Sequence, residues 1–496
     1  MQTFFDWFSA RKIDRSDPWL ILGKGPTFSK KDSYDVSQFH VLSLNHVVRE
    51  QPVRVAHIID YHVVDDCADA IRRNAEVLVM PWRPHVKYRP GQRNLEELAR
   101  TNPTLRLMNE SGRLAYYNLS STRETHGDSP VVRVKFFSAE AALNLLAQAG
   151  VRQVRSLGVD GGNTYSPKFD DLKDKTLLSG GHASFDLQFE GFAQTILTAG
   201  VDYAPLDMET PIRIYVGATE AQMLPLKVLE YSIRKHASVS VKVFPLHQAR
   251  IEIPQSKDKI NQPRTPFSFQ RFLIPELAAR RGRAIYLDSD MVVFKDIRRL
   301  WNLPFDGADL LTVRELDVDG RRPQFSVMIL DCARLDWDVQ TIVAALDKGE
   351  LSYEQLMFEM PIARGIRASI DPSWNSLERF KAGQTALLHY TDMQSQPWVS
   401  RLNSLNKLWT QALFEAIDRG YITSRDVAEE IRRGHVRPSL LYQVNERIID
   451  SRRLNRRARA LDESFIPPTS FTNTPPPTSR KRLTRFLNQL LMPAKR

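Results

Sequence analysis

The sequence predicts the α/β class: two α/β domains in tandem, followed by a helical basic C-terminal tail. Between residues 18 and 162, short apolar runs of strand length alternate with stretches of helical spacing, and a second alternation of the same kind restarts at Ile212. Such alternation implies mostly parallel sheets with helices on both faces. Length agrees, because 496 residues exceed what one hydrophobic core fills, and about two to four units are expected.

Residues 1–17 read as an N-terminal extension and 18–208 as the first domain. A strand from Trp19 runs into the turn Gly23-Lys24-Gly25-Pro26, which is expected to bring backbone amides close to a phosphate. Strands over 39–44 and 53–59 end at Asn45-His46 and Asp60, and a strand over 77–80 follows a helix. A helix over 138–149 leads to a further strand that stops at Gly158-Val159-Asp160. Ligands of parallel sheets gather at the carboxyl ends of strands. Gly23, Gly25, Asn45, Asp60 and Asp160 all stand at such ends. The plainer reading is that the glycines make a tight strand-to-helix turn and Asp160 caps a helix.

The second domain, 209–412, opens with a strand over 212–217, a helix over 221–236 and a strand over 239–245. The apolar spacing of 265–277 fits a helix packed beside the next strand, Ala284 to Leu287. That strand stops at Asp288-Ser289-Asp290, and a second apolar run, Met291 to Phe294, follows. Two aspartates one residue apart project to the same side of an extended backbone and converge on one cation. A hard divalent ion held this way neutralises a departing nucleotide diphosphate. An isolated acidic triplet is more often a solvated strand end, so the flanks decide.

Those flanks are Thr265 to Leu277 upstream, Asp296-Ile297-Arg298-Arg299-Leu300-Trp301 downstream, then Trp374-Asn375, then Leu387-Leu388-His389-Tyr390-Thr391-Asp392 running on to Pro397-Trp398. In this order they resemble glycosyltransferase family 8, with a likeness covering roughly residues 212–409. The resemblance implies a GT-A fold and a retaining transfer of a hexose from a nucleotide sugar, a UDP-sugar first, to a hydroxyl of a saccharide or glycoconjugate. It implies Mn²⁺ or Mg²⁺ held by Asp288, Asp290 and His389, and an imidazole with two carboxylates is a set that Mn²⁺ accepts well. Val216, Gly217, Thr219, Arg271, Ser289, Gln324 and Ser326 fall at the donor in this reading. Glu354 and Gln355 would bind donor hydroxyls beside the reacting carbon and, with Asp288, make the catalytic set. No covalent nucleophile is implied: the departing phosphate takes the acceptor proton, and the protein positions groups and stabilises charge. The chain also departs from the pattern. The aspartate and tyrosine usual after the first strand are not evident, Asp392 stands where a glycine falls, and Gln396 precedes Pro397-Trp398 where a lysine is usual. Lys381 and Arg401 are the candidates to replace that lysine.

The first domain is similar, more loosely, to the Rossmann-like group that joins family 42 sialyltransferases to MptE-like pterin pyrophosphokinases. The likeness lies in Gly23 to Pro26 and in Gly158-Val159-Asp160. It implies a second nucleotide site, with His182 of Gly180-Gly181-His182 as a base. Two alternatives follow: the activity resides in this first domain, sialyltransferase-like or pyrophosphokinase-like, or the chain is a non-catalytic scaffold that binds nucleotide sugars.

The net charge of +11 sits in the tail. Residues 431–496 hold 15 Lys and Arg against 4 Asp and Glu, which leaves 54 of each sign in 1–430. With the body neutral and no recognised motif, specific nucleic-acid binding is not expected. The tail divides into a helical basic extension over 413–464, arginine-rich from Arg447 to Arg459, a Pro, Ser and Thr linker over 465–479, and a basic amphipathic helix over 480–496. That last helix suits either an anionic membrane surface or docking on protein. Two cysteines, Cys67 and Cys332, are too few for a disulfide framework and point to a reducing compartment. Met1 to Phe8 is apolar but short and broken by Asp6, and no run of about 18 apolar residues occurs. A cytoplasmic, bacterial setting in polysaccharide or lipopolysaccharide synthesis is the expectation, with at most peripheral membrane contact.

Overall fold

The computed structural model describes residues 1–122, 124–265, 267–314 and 325–468. Gln324, most of the linker and the helix expected over 480–496 lie outside the described residues. The chain forms two compact units, residues 1–211 with 237–240, and residues 212–236 with 241–496. Both are α/β. Among the described residues no helix is long and apolar enough to cross a membrane.

Unit 1 contains strands β1 (Gln2–Thr3), β2 (Trp19–Leu22), β3 (His40–Leu44), β4 (Val53–His57), β5 (Ala75–Pro81), β6 (His85–Val86), β7 (Arg89–Pro90), β8 (Leu114–Leu119), β9 (Val131–Val132), β10 (Gln153–Leu157) and β11 (Asp202–Pro205). Apart from the small β6–β7 hairpin they form one sheet in the order β1-β8-β5-β4-β3-β2-β10-β11, with β9 beside β8. Every pairing in that sheet is parallel. A parallel sheet is covered on both faces, which is why β2 is apolar and buried at all four positions. Leu20 and Leu22 point into the cluster formed with Val63, Ile71, Leu98 and Leu105, while the helix Ser138–Gln148 lies against β2 and β3. From β2 the chain builds outward through β3, β4, β5 and β8, then returns to the other side of β2 with β10 and β11. The strand order therefore reverses between β2 and β10.

At that reversal the turns after β2 and β10 cross. A Cβ on Gly23 would lie 2.2 Å from the Gly158 carbonyl oxygen, and one on Gly158, at φ +71°, would lie 2.2 Å from that of Gly23. Close approach is what the glycines permit. The amides of Gly23 and Gly25 donate to Leu157 O (2.9 Å) and Gly158 O (2.7 Å), and Asp160 accepts from the Thr27 amide (2.7 Å) and hydroxyl. The expectation that Gly23 and Gly25 offer amides to a phosphate is corrected here: those donors already hold the two turns together, and Asp160 locks the crossing.

Unit 2 contains β12 (Ile212–Gly217), β13 (Val241–Pro245), β14 (Arg283–Asp288), β15 (Met291–Val293), β16 (Leu310–Val313), β17 (Val327–Asp331), β18 (Ile366–Ile370), β19 (Ser376–Leu377) and β20 (Leu387–His389). Its main sheet runs β13-β12-β14-β17-β16-β18, with β17 antiparallel to both β14 and β16, and β15, β20 and β19 make a second small sheet. The helix Met223–His236 lies against β15, and its Ser232 hydroxyl accepts the Val293 amide at 3.0 Å. Two expected helices are broken. Over 265–277 the chain forms a 3₁₀ turn, Gln270–Leu273, and a single α turn, Ile274–Leu277, because Pro275 has no amide to continue a longer helix. The arginine-rich stretch from Arg447 divides into Ser451–Arg453 and Arg456–Ala460, since Arg447 adopts φ +54° and Asp450 and Asn455 each cap a new start.

Gly158→Ala is expected to cost unit 1 more than about 2 kcal/mol, because strain and collision add, whereas Gly162→Ala, with φ +74° and open space around it, costs about 1 kcal/mol. Urea denaturation of the two variants makes the comparison. Burial lowers the pKa of His46 to about 4, of His57 to about 3 and of His85 to about 4, from an ordinary 6.5. The unfolded chain therefore binds more protons at these sites below pH 6.5, and the stability of unit 1 is expected to fall as pH drops from about 6.5 towards 4. Denaturation midpoints at pH 7 and pH 4.5 measure that loss.

Candidate functional site

The two sheets of unit 2 meet at Asp288-Ser289-Asp290. Asp288 ends β14 opposite Gly217 of β12, while Asp290 directly precedes β15, whose first residue, Met291, pairs with His389 of β20. The Tyr390 amide donates to the Asp290 carbonyl at 2.9 Å and extends that ladder. Register alone thus brings a histidine to the aspartates. One ligand atom from each of Asp288, Asp290 and His389 lies within 4.8 Å of the others. His389 Nε2 is 3.1 Å from Asp290 Oδ1 and 3.9 Å from Asp288 Oδ2. The three residues are 8%, 8% and 3% exposed.

Each of these side chains is held from behind. Asp288 Oδ1 accepts the Tyr286 hydroxyl at 2.6 Å, two residues back on the same side of β14. Gly217 makes room for that hydroxyl, since a Cβ there would lie 2.4 Å from it. Asp290 Oδ2 accepts from Gln396 Nε2 at 2.9 Å, and the same amide donates to Tyr390 O at 2.9 Å. His389 Nδ1 pairs with Asn375 Oδ1 at 2.9 Å. When Nδ1 donates there, the neutral ring turns its Nε2 lone pair towards the carboxylates. One oxygen of each aspartate is therefore tied to protein, and the other faces His389. Asp290 Oδ1 is buried and accepts no hydrogen bond among the described residues.

Three lone-pair atoms facing one another in a buried space repel unless a proton or a cation lies among them. Burial lifts the Asp288 carboxyl above the ordinary range, against the pull of Arg271 and His389. Burial also opposes charge on His389, but Asp290 and Asp288 outweigh it and raise its pKa. The Arg271 guanidinium lies beside the pair, 3.8 Å from Asp288. Two carboxylates and one imidazole nitrogen, each oriented by a second contact, fit a hard divalent ion.

The remaining sequence candidates divide. Arg271 is buried, donates to Ser268 O and Phe325 O, and lies 4.6 Å over the Tyr286 ring. Ser289 is buried and its hydroxyl makes no hydrogen bond among the described residues, and Ser326 is buried next to Phe325 in the chain. Val216 is fully buried between β13 and β14. Thr219 caps the short turn Glu220–Gln222. Glu354 is exposed and pairs with Arg264 at 3.1 Å, and Gln355 forms a capping box with Ser352 at the start of the helix Tyr353–Phe358. A role at the sugar would require Gln355 to leave that cap. Gln396 stands in the segment where the family lysine is missing, and it orients Asp290 instead.

Tyr286, Asn375 and Gln396 were not identified as site residues from the sequence. Neither was Gln270, which clamps Ala218 through its amide at 3.2 Å and its carbonyl at 3.0 Å. Signals existed for two of them: a tyrosine two residues before Asp288 in an otherwise apolar strand, and the Trp374-Asn375 pair. In unit 1, Gly23, Gly25, Asn45, Asp60, Asp160 and His182 all line one cavity.

Residues 210–353 match the family described as glycosyl transferase family 8. The match includes Asp288 and Asp290 and ends before His389. Protein CDI of Arabidopsis thaliana is 31% identical over 106 residues, which cover 21% of this chain and 41% of that protein. The chain thus spans less than half of this curated relative. Among solved structures, the glycosyltransferase GlyE of Streptococcus pneumoniae TIGR4 is similar at 16% identity and a TM-score of 0.32, over 41% of this chain and 60% of that one. The galactosyltransferase LgtC, in complex with donor and acceptor sugar analogs, is similar at 14% identity and a TM-score of 0.30, over 42% of this chain and 100% of that one.

Tyr286→Phe leaves Asp288 Oδ1 one bond short and is expected to cost about 1–3 kcal/mol. Gly217→Ala drives a methyl group into the Tyr286 hydroxyl and is expected to cost at least as much. Because removing the hydroxyl relieves the collision, the double variant should be less destabilised than the sum of the two. Chemical denaturation of the four proteins in this cycle measures the coupling.

Proposed function

We propose that this chain, whose residues 210–353 form a glycosyl transferase family 8 domain, is a metal-dependent retaining glycosyltransferase. It moves a hexose from a nucleotide sugar, a UDP-sugar first, to a hydroxyl of a saccharide or glycoconjugate. The observation that carries this reading is the convergence of Asp288 Oδ2, Asp290 Oδ1 and His389 Nε2 beside the domain's central strand. Bound Mn²⁺ or Mg²⁺ supplies a Lewis acid that neutralises the diphosphate as it leaves.

The chain's own residues do the rest. Asp288, Asp290 and His389 hold the ion; Tyr286, Gln396 and Asn375 keep one face of each ligand occupied so that the other face is fixed. Gln270 and Gly217 shape the strand end where the nucleotide lies, and Arg271 holds Asp288 from the side. Donor hydroxyl contacts fall to Glu354 and Gln355, with Gln355 released from its cap on binding. Such a site works by positioning and by charge stabilisation rather than through a covalent nucleophile. A cytoplasmic bacterial setting, with the basic C-terminal segment against anionic membrane, belongs to the same proposal and rests on composition.

The test is a screen of nucleotide sugars for donor hydrolysis by the full chain, with Mn²⁺ and with chelator. One UDP-sugar is expected to be hydrolysed, only with metal, and Asp290→Asn should lower that turnover at least about 100-fold with its thermal unfolding unchanged. Hydrolysis that ignores both chelator and Asp290→Asn would remove the metal assignment.

A further inference from the structure

We infer that unit 1 carries a ligand site of its own, for a nucleoside phosphate, in the cavity above the carboxyl ends of β4, β3, β2 and β10. The cavity measures about 350 Å³ and opens where the strand order reverses, between β2 and β10. That is where parallel α/β sheets leave a crevice, and the size suits a small organic ligand. The inference does not depend on the activity proposed for unit 2.

Three kinds of group line the cavity, and each lacks what a different part of a nucleotide supplies. The first is a cation without a salt bridge among the described residues. Lys24 Nζ donates to Thr176 Oγ1 at 2.9 Å and lies 4.4 Å over the Tyr165 ring, but it makes no ion pair among the described residues. Burial, with a smaller push from Arg49 and against the pull of Asp60 and Asp171, lowers its pKa to about 8, so it is mostly charged at neutral pH and an anion in contact with it would be stabilising. The second is a pair of hydroxyl acceptors. Asn45 Oδ1 and Asp60 Oδ1 are buried at the ends of β3 and β4 and accept no hydrogen bond among the described residues. Asn45 also holds φ +50°, a strained conformation of the kind that persists at ligand sites. Ribose hydroxyls are the donors that such oxygens accept.

The third is a wall of rings. Tyr165 stacks with Phe185 at 5.9 Å between centroids, Phe185 meets Phe137 at 5.0 Å, and His182 packs on Phe137 at 5.1 Å and on Phe136 at 5.6 Å. Aromatic faces of this kind stack bases with little regard to sequence. The wall is preformed, because Glu140 accepts the amides of Lys135, Phe136 and Phe137 at 3.0, 2.9 and 2.8 Å. Gly191 leaves space for that carboxylate, since a Cβ there would lie 2.2 Å from it. An anion site, hydroxyl acceptors and a stacking wall in one cavity together match phosphate, ribose and base.

The experiment uses the full chain with Asp290→Asn, in chelator, so that metal-dependent binding in unit 2 is switched off. Nucleoside mono- and diphosphates of the common bases, with inorganic phosphate and ribose 5-phosphate as partial ligands, are titrated by calorimetry. One nucleotide is expected to bind saturably at one site per chain, and Lys24→Ala and Asn45→Ala should each weaken it at least about 10-fold. Lys24→Arg, which keeps the charge, should retain most of the affinity. Thermal unfolding of each variant confirms that the fold is kept, and Asn45→Gly, which removes the side chain and relieves the backbone strain, serves if Asn45→Ala is unstable. Absence of binding by any nucleotide, binding indifferent to Lys24 and Asn45, or inorganic phosphate binding as tightly as any nucleotide would each overturn the proposal.

Discussion

The unit 2 site depends on one buried contact that a proton or a cation must complete. Asp290 Oδ1 and His389 Nε2 lie 3.1 Å apart in a space almost closed to water, with Asp288 Oδ2 close by. Everything around them fixes that arrangement rather than relieving it. The hydroxyl of Tyr286, the amide of Gln396 and Asn375 each bind the far side of a ligand and leave the near side bare. A fold tolerates such a cluster when something else completes it. The register of β15 against β20 explains why the cluster is rigid: His389 is a strand residue locked to its neighbour, not a loop residue that can turn away.

The parts of this site that were legible in the sequence are those set by local geometry. A strand ending in two aspartates one residue apart reads directly from the apolar run before them, and β14 does end at Asp288. The supporting contacts did not read out, because they join residues far apart in the chain. Gln396 reaches back 106 residues to Asp290, and it appeared in the sequence only as a departure from a pattern. Gln355 stands at the start of the helix Tyr353–Phe358, where its side chain is engaged in the capping box with Ser352. Periodicity also overestimated two helices, where Pro275 and the caps at Asp450 and Asn455 outweigh apolar spacing.

In unit 1 the alternation of strands and helices was enough to place the parallel sheet and the residues at its carboxyl edge. The role of the glycines was not. Gly23 and Gly158 let two turns cross at a separation that no side chain permits, and their main-chain groups hold the crossing together. One cavity there is lined by Lys24, Asn45 and Asp60, which follow β2, β3 and β4, and by the rings of Phe136, Phe137, Tyr165, His182 and Phe185. The first three come from adjacent strands, while the rings come from segments about 76 to 160 residues further along the chain.

The measurement that bears most directly on the account is anomalous diffraction at the manganese edge from crystals of the full chain grown with Mn²⁺. A single anomalous peak bounded by Asp288, Asp290 and His389, at about 2.0–2.4 Å from one atom of each, is the predicted result. Full-occupancy Mn²⁺ elsewhere in unit 2, with His389 Nε2 hydrogen-bonded to Asp290 and no ion between them, would contradict it.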